Sequence, residues 1–199
     1  MAYKNWIGGR RTAWRAISAI EQKEESKGSA HLTLLRAYKS KIEDEVEKIS
    51  NDTLEIVDKY LLPKAKTPEN EVFYLKMKGD YCRYYAECVT ADRQKKAGEK
   101  AHEMYKKAME KAAGLPSTSP IKLGLALNYS VFFYEILNSP EEACKLAKTT
   151  FDGAIGDLNT LEDDDYKEAA TIMQLLRDNL TLWGSEAEED GAAPKEENL

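Results

Sequence analysis

Four basic residues with helical spacing could together bind a phosphate group. Lys4 and Arg11 lie seven residues apart near the start of the chain, and Lys76 and Arg83 repeat this spacing further along. A separation of seven places both members of a pair on one face of a helix. A guanidinium donates two parallel hydrogen bonds to phosphate oxygens, an ammonium adds a point charge, and the Tyr84 hydroxyl adds one more donor. If the two faces meet, the sequence predicts a cationic phosphate site.

An ion pair within one helix is the alternative for Arg83. Asp80 precedes it by three residues and Glu87 follows it by four, and both spacings suit a pair on a helix surface. Basic stripes on helices are more often solvated or paired than functional. Residues 1–20 contain no acid, however, so Arg11 has no partner nearby in the sequence. Spacing alone leaves both interpretations open.

Two further helical stripes combine apolar residues with one asparagine each. An asparagine side chain offers both a donor and an acceptor, which suits pairing with an extended peptide backbone. The alternative is that these residues belong to the core, because leucine and tryptophan at helical spacing usually pack inside. The stripes are Gly124, Leu127, Asn128, Val131 and Glu135 in the fifth predicted helix, and Leu175, Asn179, Leu182 and Trp183 in the seventh.

The sequence contains no complete motif for catalysis, metal binding or cofactor binding. His102 and Glu103 begin like the zinc-protease motif HExxH, but Lys106 stands where the second histidine is needed. Glu99 and His102 match one Glu-x-x-His of a di-iron bundle, which requires two copies. We therefore expect no enzyme activity and no cofactor, and a metal-dependent helical bundle is the rival class.

Composition and charge narrow the class of protein. The 199 residues include 29 Lys and Arg against 35 Asp and Glu, a formal charge of −6, which argues against general nucleic-acid binding. Three cysteines are too few for a disulfide framework and are typical of a reducing compartment. The sequence shows neither the apolar segment of a signal peptide nor a run of eighteen apolar residues. We expect a cytoplasmic protein without a membrane span, with the nucleus as a second location.

Helices must position these residues, because helical periodicity covers almost the whole chain. The pattern predicts an all-α fold, an antiparallel array of about seven helices joined by short links. Residues 185–199 carry six acids and one lysine without periodic apolar residues, so a disordered acidic tail is expected after a helical domain at 1–184. The predicted helices are 2–25, 31–61, 68–90, 93–113, 119–138, 140–157 and 161–184.

Four stretches of the chain resemble signature segments of the 14-3-3 family. They occur in the family's order and extend from residue 2 to about residue 184. The resemblance implies an all-helical cup that binds phosphoserine or phosphothreonine segments of client proteins through arginine clusters, in signal transduction. The stretches are AYKNWIGGRRTAWRAISAIEQKEES, VFYLKMKGDYCRYYAE, LGLALNYSVFFYEILNSPEEACKLAKTTFD and TIMQLLRDNLTLW.

The resemblance also assigns a role to each candidate residue. It implies a phosphate site formed by Lys4, Arg11, Arg83 and Tyr84. Lys76 would add positive potential in the adjoining client groove. The other groove residues would hold the client backbone and its apolar flanks: Asn128 and Asn179 for the backbone, a wall of Leu127, Val131, Leu175, Leu182 and Trp183, and Glu135 on the polar side.

Assembly and the runner-up function also follow from the resemblance. The family has two more helices before the segment with which this sequence begins, and those helices make most of the dimer contact. We therefore expect a homodimer or heterodimer that is weakened, or a monomer. The alternative function is a phosphate-independent helical scaffold, which predicts equal binding of phosphorylated and plain peptides.

Overall fold

The structure, a computed structural model, describes the backbone of residues 2–191 and the side chains of residues 3–184. These residues form α-helices joined by short links and contain no β-strand, which confirms the all-α prediction. The seven α-helices are α1 (Ala2–Glu25), α2 (Leu32–Ile56), α3 (Pro68–Glu87), α4 (Ala91–Ala112), α5 (Pro120–Glu135), α6 (Pro140–Ile155) and α7 (Asp163–Gly191).

Local chemistry explains where several helices begin. The Thr67 hydroxyl accepts a hydrogen bond from the Asn70 amide at 3.3 Å, which caps α3, and Pro68 occupies the first helical position. Pro120 and Pro140 hold the same first position in α5 and α6. Proline suits this position because its fixed φ is helical and its missing N–H would have no partner there. These helix starts lie within one residue of the predicted ones.

The end of the second helix differs from the prediction. Regular α-helix stops at Ile56, and the predicted last turn is a π-helix at Val57–Leu61, followed by a 3-10 turn at Leu62–Lys64. Pro63 accounts for the change, because it lacks an N–H and its ring crowds the preceding turn. The wider π turn still satisfies the backbone, since the Leu62 amide donates to the Val57 carbonyl.

The seventh helix extends further than predicted. It continues through Gly184 to Gly191, so the predicted helix end at residue 184 is too early. That a disordered acidic tail follows the helical domain stays a prediction. Gly184 does not adopt a positive φ, and a glycine inside a helix costs only about 1 kcal/mol relative to alanine. The alanine and glutamates that follow favour helix. The rest of the predicted tail, 192–199, lies outside the described residues.

The chain divides into two compact units, and the division falls between Lys111 and Ala112. In the first unit, α1, α2 and α3 share a core of Ile7, Ile42, Val46, Ile49 and Tyr81. In the second unit, α5, α6 and α7 share another core, formed by Leu123, Ala143, Ala147, Ala154, Ala169, Met173, Leu176 and Trp183. Whether residues 1–184 form the single predicted domain stays a prediction.

None of the helices within residues 2–191 combines the length and the apolar character that crossing a membrane requires.

Candidate anion-binding site

Two arginines from different helices lie against the same tyrosine ring in the first unit. The guanidinium carbon of Arg11, on α1, is 4.1 Å from the centre of the Tyr84 ring, and that of Arg83, on α3, is 4.8 Å away. Packing of Ile7 and Tyr81 in the shared core brings these two helices together. The two faces that the sequence singled out therefore do meet, at Arg11, Arg83 and Tyr84.

Arg83 is buried and is held by three polar groups. Its Nη1 donates to Glu87 Oε1 at 2.9 Å, its Nε donates to the Tyr105 hydroxyl at 3.2 Å, and its Nη2 lies 3.7 Å from Asp80 Oδ1. Burial tends to lower the pKa of this guanidinium, but the surrounding hydroxyl and carboxylate groups raise its pKa overall. The side chain therefore keeps its charge although it is only 6% exposed.

Glu87 connects this arginine to the first helix. Its Oε2 accepts hydrogen bonds from Arg11 Nε at 2.9 Å and from Arg11 Nη2 at 2.6 Å. Arg15 Nη2 approaches the same oxygen at 3.3 Å. The ion-pair interpretation of Arg83 is thus correct, and Arg11 also has an acid partner, one that is distant in sequence. Pairing and clustering occur together, so the two interpretations of the basic stripes are not exclusive.

Tyr105 is a part of the cluster that the sequence analysis missed. This fully buried residue of α4 donates its hydroxyl proton to Asp80 Oδ1 at 2.6 Å. Burial, followed by the nearby Asp80 charge, raises the pKa of Tyr105 well above its ordinary value, so the hydroxyl remains a donor. Gly79 was the available signal: a glycine inside a helix often marks a close approach, and a Cβ there would lie 2.7 Å from the Tyr105 ring.

The two lysines of the predicted site differ in their surroundings. Lys76 Nζ pairs with Asp80 Oδ2 at 2.8 Å and so belongs to the same network. Lys4 is exposed on α1, and among the described side chains the ion pairs of the cluster do not include it. Lys76 is thus already committed to a carboxylate, whereas Lys4 has its ammonium in solvent.

The other predicted groove residues all lie in the second unit. Leu175 and Leu182 are exposed, at 47% and 54%, and Leu127 and Val131 are half-buried against the core. Trp183 differs from these, because it is only 4% exposed and its indole stacks on the Tyr134 ring at 4.8 Å. It is therefore a core residue. The polar members are Asn128 and Asn179, both half-buried, and Glu135, which is exposed.

The described side chains contain no group of three or more His, Cys, Asp or Glu residues placed to hold a metal ion. Cys82, Cys88 and Cys144 are free thiols. Burial raises the pKa of Cys82 to about 11 and that of Cys88 to about 12. The Cys82 thiol, in α3, and the Cys88 thiol, directly after α3, therefore stay protonated. Both are poor nucleophiles at neutral pH.

Comparison with known proteins identifies the family. The model of the 14-3-3 protein family matches residues 1–184. A 14-3-3 protein homolog of Trichoderma harzianum is 58% identical over 191 residues, which cover 94% of this chain and 73% of the relative. Protein BMH2 of Saccharomyces cerevisiae is 56% identical over 194 residues, which cover 96% of this chain and 71% of the relative. A 14-3-3-like protein of Pisum sativum is 56% identical over 194 residues, which cover 96% of this chain and 75% of the relative. The chain therefore belongs to the 14-3-3 family, a family of non-enzymatic adaptor proteins that bind other proteins and form dimers.

Proposed function

We propose that this chain is an adaptor that binds client proteins at a phosphorylated serine or threonine and so regulates them in signalling. The observation that carries the proposal is the pair of guanidiniums from α1 and α3 that lie on the Tyr84 ring. An overall acidic chain has assembled a local excess of positive charge there. Family membership supports the adaptor role.

The charge balance of the cluster suits a dianion. Its four cations, Arg11, Arg15, Arg83 and Lys76, contact two carboxylates, so a net charge of +2 remains. A phosphate monoester carries about −1.5 to −2 at neutral pH and offers three acceptor oxygens. Each guanidinium has five N–H donors, more than its contacts inside the protein use. The cluster can therefore donate to a phosphate without giving up its own ion pairs.

Selectivity for the phosphorylated form follows from the same charges. A serine or threonine hydroxyl would cover part of the cluster but could not neutralise it. Bringing an uncharged client against partly desolvated guanidiniums therefore costs free energy that phosphate recovers. Lys4 and the Tyr84 hydroxyl complete the proposed phosphate site, as the family resemblance implies.

The client segment around the phosphate is proposed to contact the second unit. Asn128 and Asn179 would pair with its backbone, and the exposed Leu175 and Leu182 would take its apolar flanks. We assign Leu127 and Val131 to the same wall, Glu135 to its polar side, and Trp183 to its support, because the indole lies in the core. Lys76, in the first unit, is proposed to add positive potential next to the phosphate.

The test is a binding titration with a matched pair of peptides at fixed salt. One fluorescent peptide carries phosphoserine after an upstream arginine, and its twin carries plain serine. We expect the chain to bind only the phosphorylated peptide tightly. Equal binding of both peptides would instead support the phosphate-independent scaffold, and binding of neither would contradict both functions.

Substitution of Arg83 should remove most of this binding. We expect Arg83→Ala to weaken phosphopeptide binding by roughly 2–5 kcal/mol, because a buried charge partner of the phosphate is lost. Arg11→Ala, at a less buried position, should act in the same direction and serves if Arg83→Ala does not fold. The matched control is Arg10→Ala, which removes the same charge beside Arg11 but from an ion pair with Glu45. A loss equal to that of the control would exclude Arg83 and Arg11 from the site.

We also propose a cytoplasmic location, with the nucleus as a second one. The three free thiols support this proposal, because unpaired cysteines are typical of reducing compartments. Fractionation of the source cells, with detection of the endogenous chain by antibody, tests it. Recovery of the chain only from a secreted fraction would contradict the proposal.

A further inference from the structure

Glu87 is an acidic residue that contacts both arginines of the Tyr84 ring. Each of its carboxylate oxygens binds a different arginine. Oε2 accepts hydrogen bonds from Nε and Nη2 of Arg11, and Oε1 accepts one from Nη1 of Arg83. The side chain is 9% exposed, so water competes little for these bonds. One carboxylate thereby links α1 to α3 at the candidate site.

Both guanidiniums need such a link to stay where they are. They carry like charges and lie on the same ring, at 4.1 and 4.8 Å from its centre. Two like charges that share one ring repel each other, and partial burial strengthens the repulsion. A negative charge bonded to both offsets it and also fixes the direction of the remaining N–H groups. Arg83 has a second anchor in the Tyr105 hydroxyl, whereas the Nε and Nη2 groups of Arg11 both donate to Glu87.

We infer that Glu87 is a positioning residue of the phosphate site, which holds Arg11 and Arg83 in the orientation that receives the anion. This inference rests on the proposed phosphate binding. It has an unusual consequence, because Glu87 carries the same sign of charge as the ligand. By its charge alone, Glu87 would weaken phosphate binding. By holding the two arginines in place, it would strengthen that binding. The sign of the effect of its removal therefore distinguishes the two roles.

Glu87→Gln should weaken phosphopeptide binding although it makes the site more positive. We expect a loss of about tenfold, by analogy with residues that orient metal ligands, whose mutation costs about 10–100-fold in metal affinity. Glu87→Asp keeps the charge but is one methylene shorter, so it can no longer bridge both guanidiniums. We expect it to lose affinity as well. Because the charge of the side chain is unchanged, this loss of affinity would come only from the shorter side chain.

Asp58→Asn is the matched control. Asp58 forms an ion pair with Lys78 of α3 at 2.7 Å, so this variant also removes one carboxylate from an ion pair with that helix. Asp58 is not among the ion-pair partners of Arg11 and Arg83. We expect its phosphopeptide affinity to stay within twofold of the wild type. Any general effect of one lost negative charge would appear in this variant too.

A second measurement reports on the arginines directly and does not need the peptide. In 15N spectra, exchange of the Nε–H protons with water shows how firmly each guanidinium is held. Arg11 Nε bonds to Glu87, whereas Arg83 Nε bonds to Tyr105. In Glu87→Gln we expect the Arg11 Nε–H to exchange faster and the Arg83 Nε–H to keep most of its protection. Equal acceleration of both would overturn the inference, because it would show a general loosening of the fold and not a specific loss of the Arg11 anchor.

The outcomes separate this inference from the proposed function. If the wild type does not prefer the phosphorylated peptide, the proposed function and the inference both fail. If it does, but Glu87→Gln binds as tightly as the wild type or more tightly, the inference alone is overturned. Weaker binding by Glu87→Gln and Glu87→Asp, with Asp58→Asn unchanged and Arg11 selectively loosened, is the result that supports it.

Discussion

At the scale of single residues, the buried charges near Arg83 are tolerated because each has a hydrogen-bonding partner. Asp80 illustrates this: one oxygen pairs with Lys76 and the other accepts from the Tyr105 hydroxyl. An unpaired buried charge would cost several kcal/mol, so the members of such a network depend on each other. The residues that make the site cationic are therefore also residues on which the fold depends.

Removal of the Tyr105 hydroxyl should destabilise the chain. Tyr105→Phe deletes a 2.6 Å hydrogen bond to a carboxylate and a second bond to Arg83, while the ring stays in place. Hydrogen bonds to charged groups contribute roughly 1.5–3 kcal/mol, and we expect a loss of this size in the free energy of unfolding by urea. Tyr166→Phe, at an exposed position, should change it by less than about 0.5 kcal/mol. Equal values for the two variants would contradict this account of Tyr105.

At the scale of elements, the contact between α3 and α4 depends on one missing side chain. Gly79 lies inside α3, where glycine is normally unfavourable, and atoms of the Tyr105 ring occupy the space that a Cβ would need. The ring itself is fixed by its hydroxyl. Neither the Gly79 backbone nor the Tyr105 ring can move far. Glycine at this position therefore lowers the helix propensity of α3 but allows α4 to pack against it.

Alanine at Gly79 should therefore cost stability, although alanine favours helix. The added Cβ would lie 2.7 Å from two Tyr105 ring carbons, and we expect Gly79→Ala to lower the free energy of unfolding by roughly 1–3 kcal/mol, the range for an overpacked core. In the matched control, Gly9→Ala, the added Cβ of a helical glycine in α1 meets open space, and we expect a gain of up to about 1 kcal/mol. A gain in both variants would contradict the close approach. Circular dichroism during urea unfolding measures both values.

At the scale of the whole molecule, each of the two compact units has its own core, and two buried thiols of the first unit tie stability to pH. Cys82 and Cys88 belong to the first unit, and burial raises their pKa values to about 11 and about 12 from an ordinary value near 9. The folded state therefore binds these protons more tightly than the unfolded state. Their contribution to stability is complete below pH 9 and is lost as the pH rises through 11 and 12.

The free energy of unfolding should accordingly fall on the alkaline side. Between pH 9 and pH 11 we expect each of these two thiols to contribute a decrease of about 1.4 kcal/mol per pH unit. Urea titrations at several pH values measure the slope. A Cys82→Ala, Cys88→Ala double variant should show a shallower slope, whatever its stability at pH 8. An unchanged slope in that variant would show that the two thiols are not the titrating groups.

Sequence patterns were sufficient to predict the helices and the helix faces that carry the candidate site residues. Periodicity, capping residues and prolines act over a few positions, so the starts of α3, α5 and α6 could be predicted from residues close to them. The same holds for the shared face of Lys4 and Arg11. The ends of α2 and α7 were less well predicted. A π turn before Pro63 and a helix through Gly184 each depend on small differences in free energy between competing backbone states.

The membership of the site, in contrast, was decided by tertiary structure. The sequence by itself determined that Arg11 and Arg83 lie on helix faces, that Asp80 and Glu87 are at pairing distance from Arg83, and which family the chain resembles. Only the packing of α1 and α4 against α3 showed that Glu87 also binds Arg11, that Tyr105 anchors Arg83, and that Lys4 stays in solvent. Contacts within a helix follow from its repeat, whereas contacts between helices depend on how far whole side chains let the helices approach.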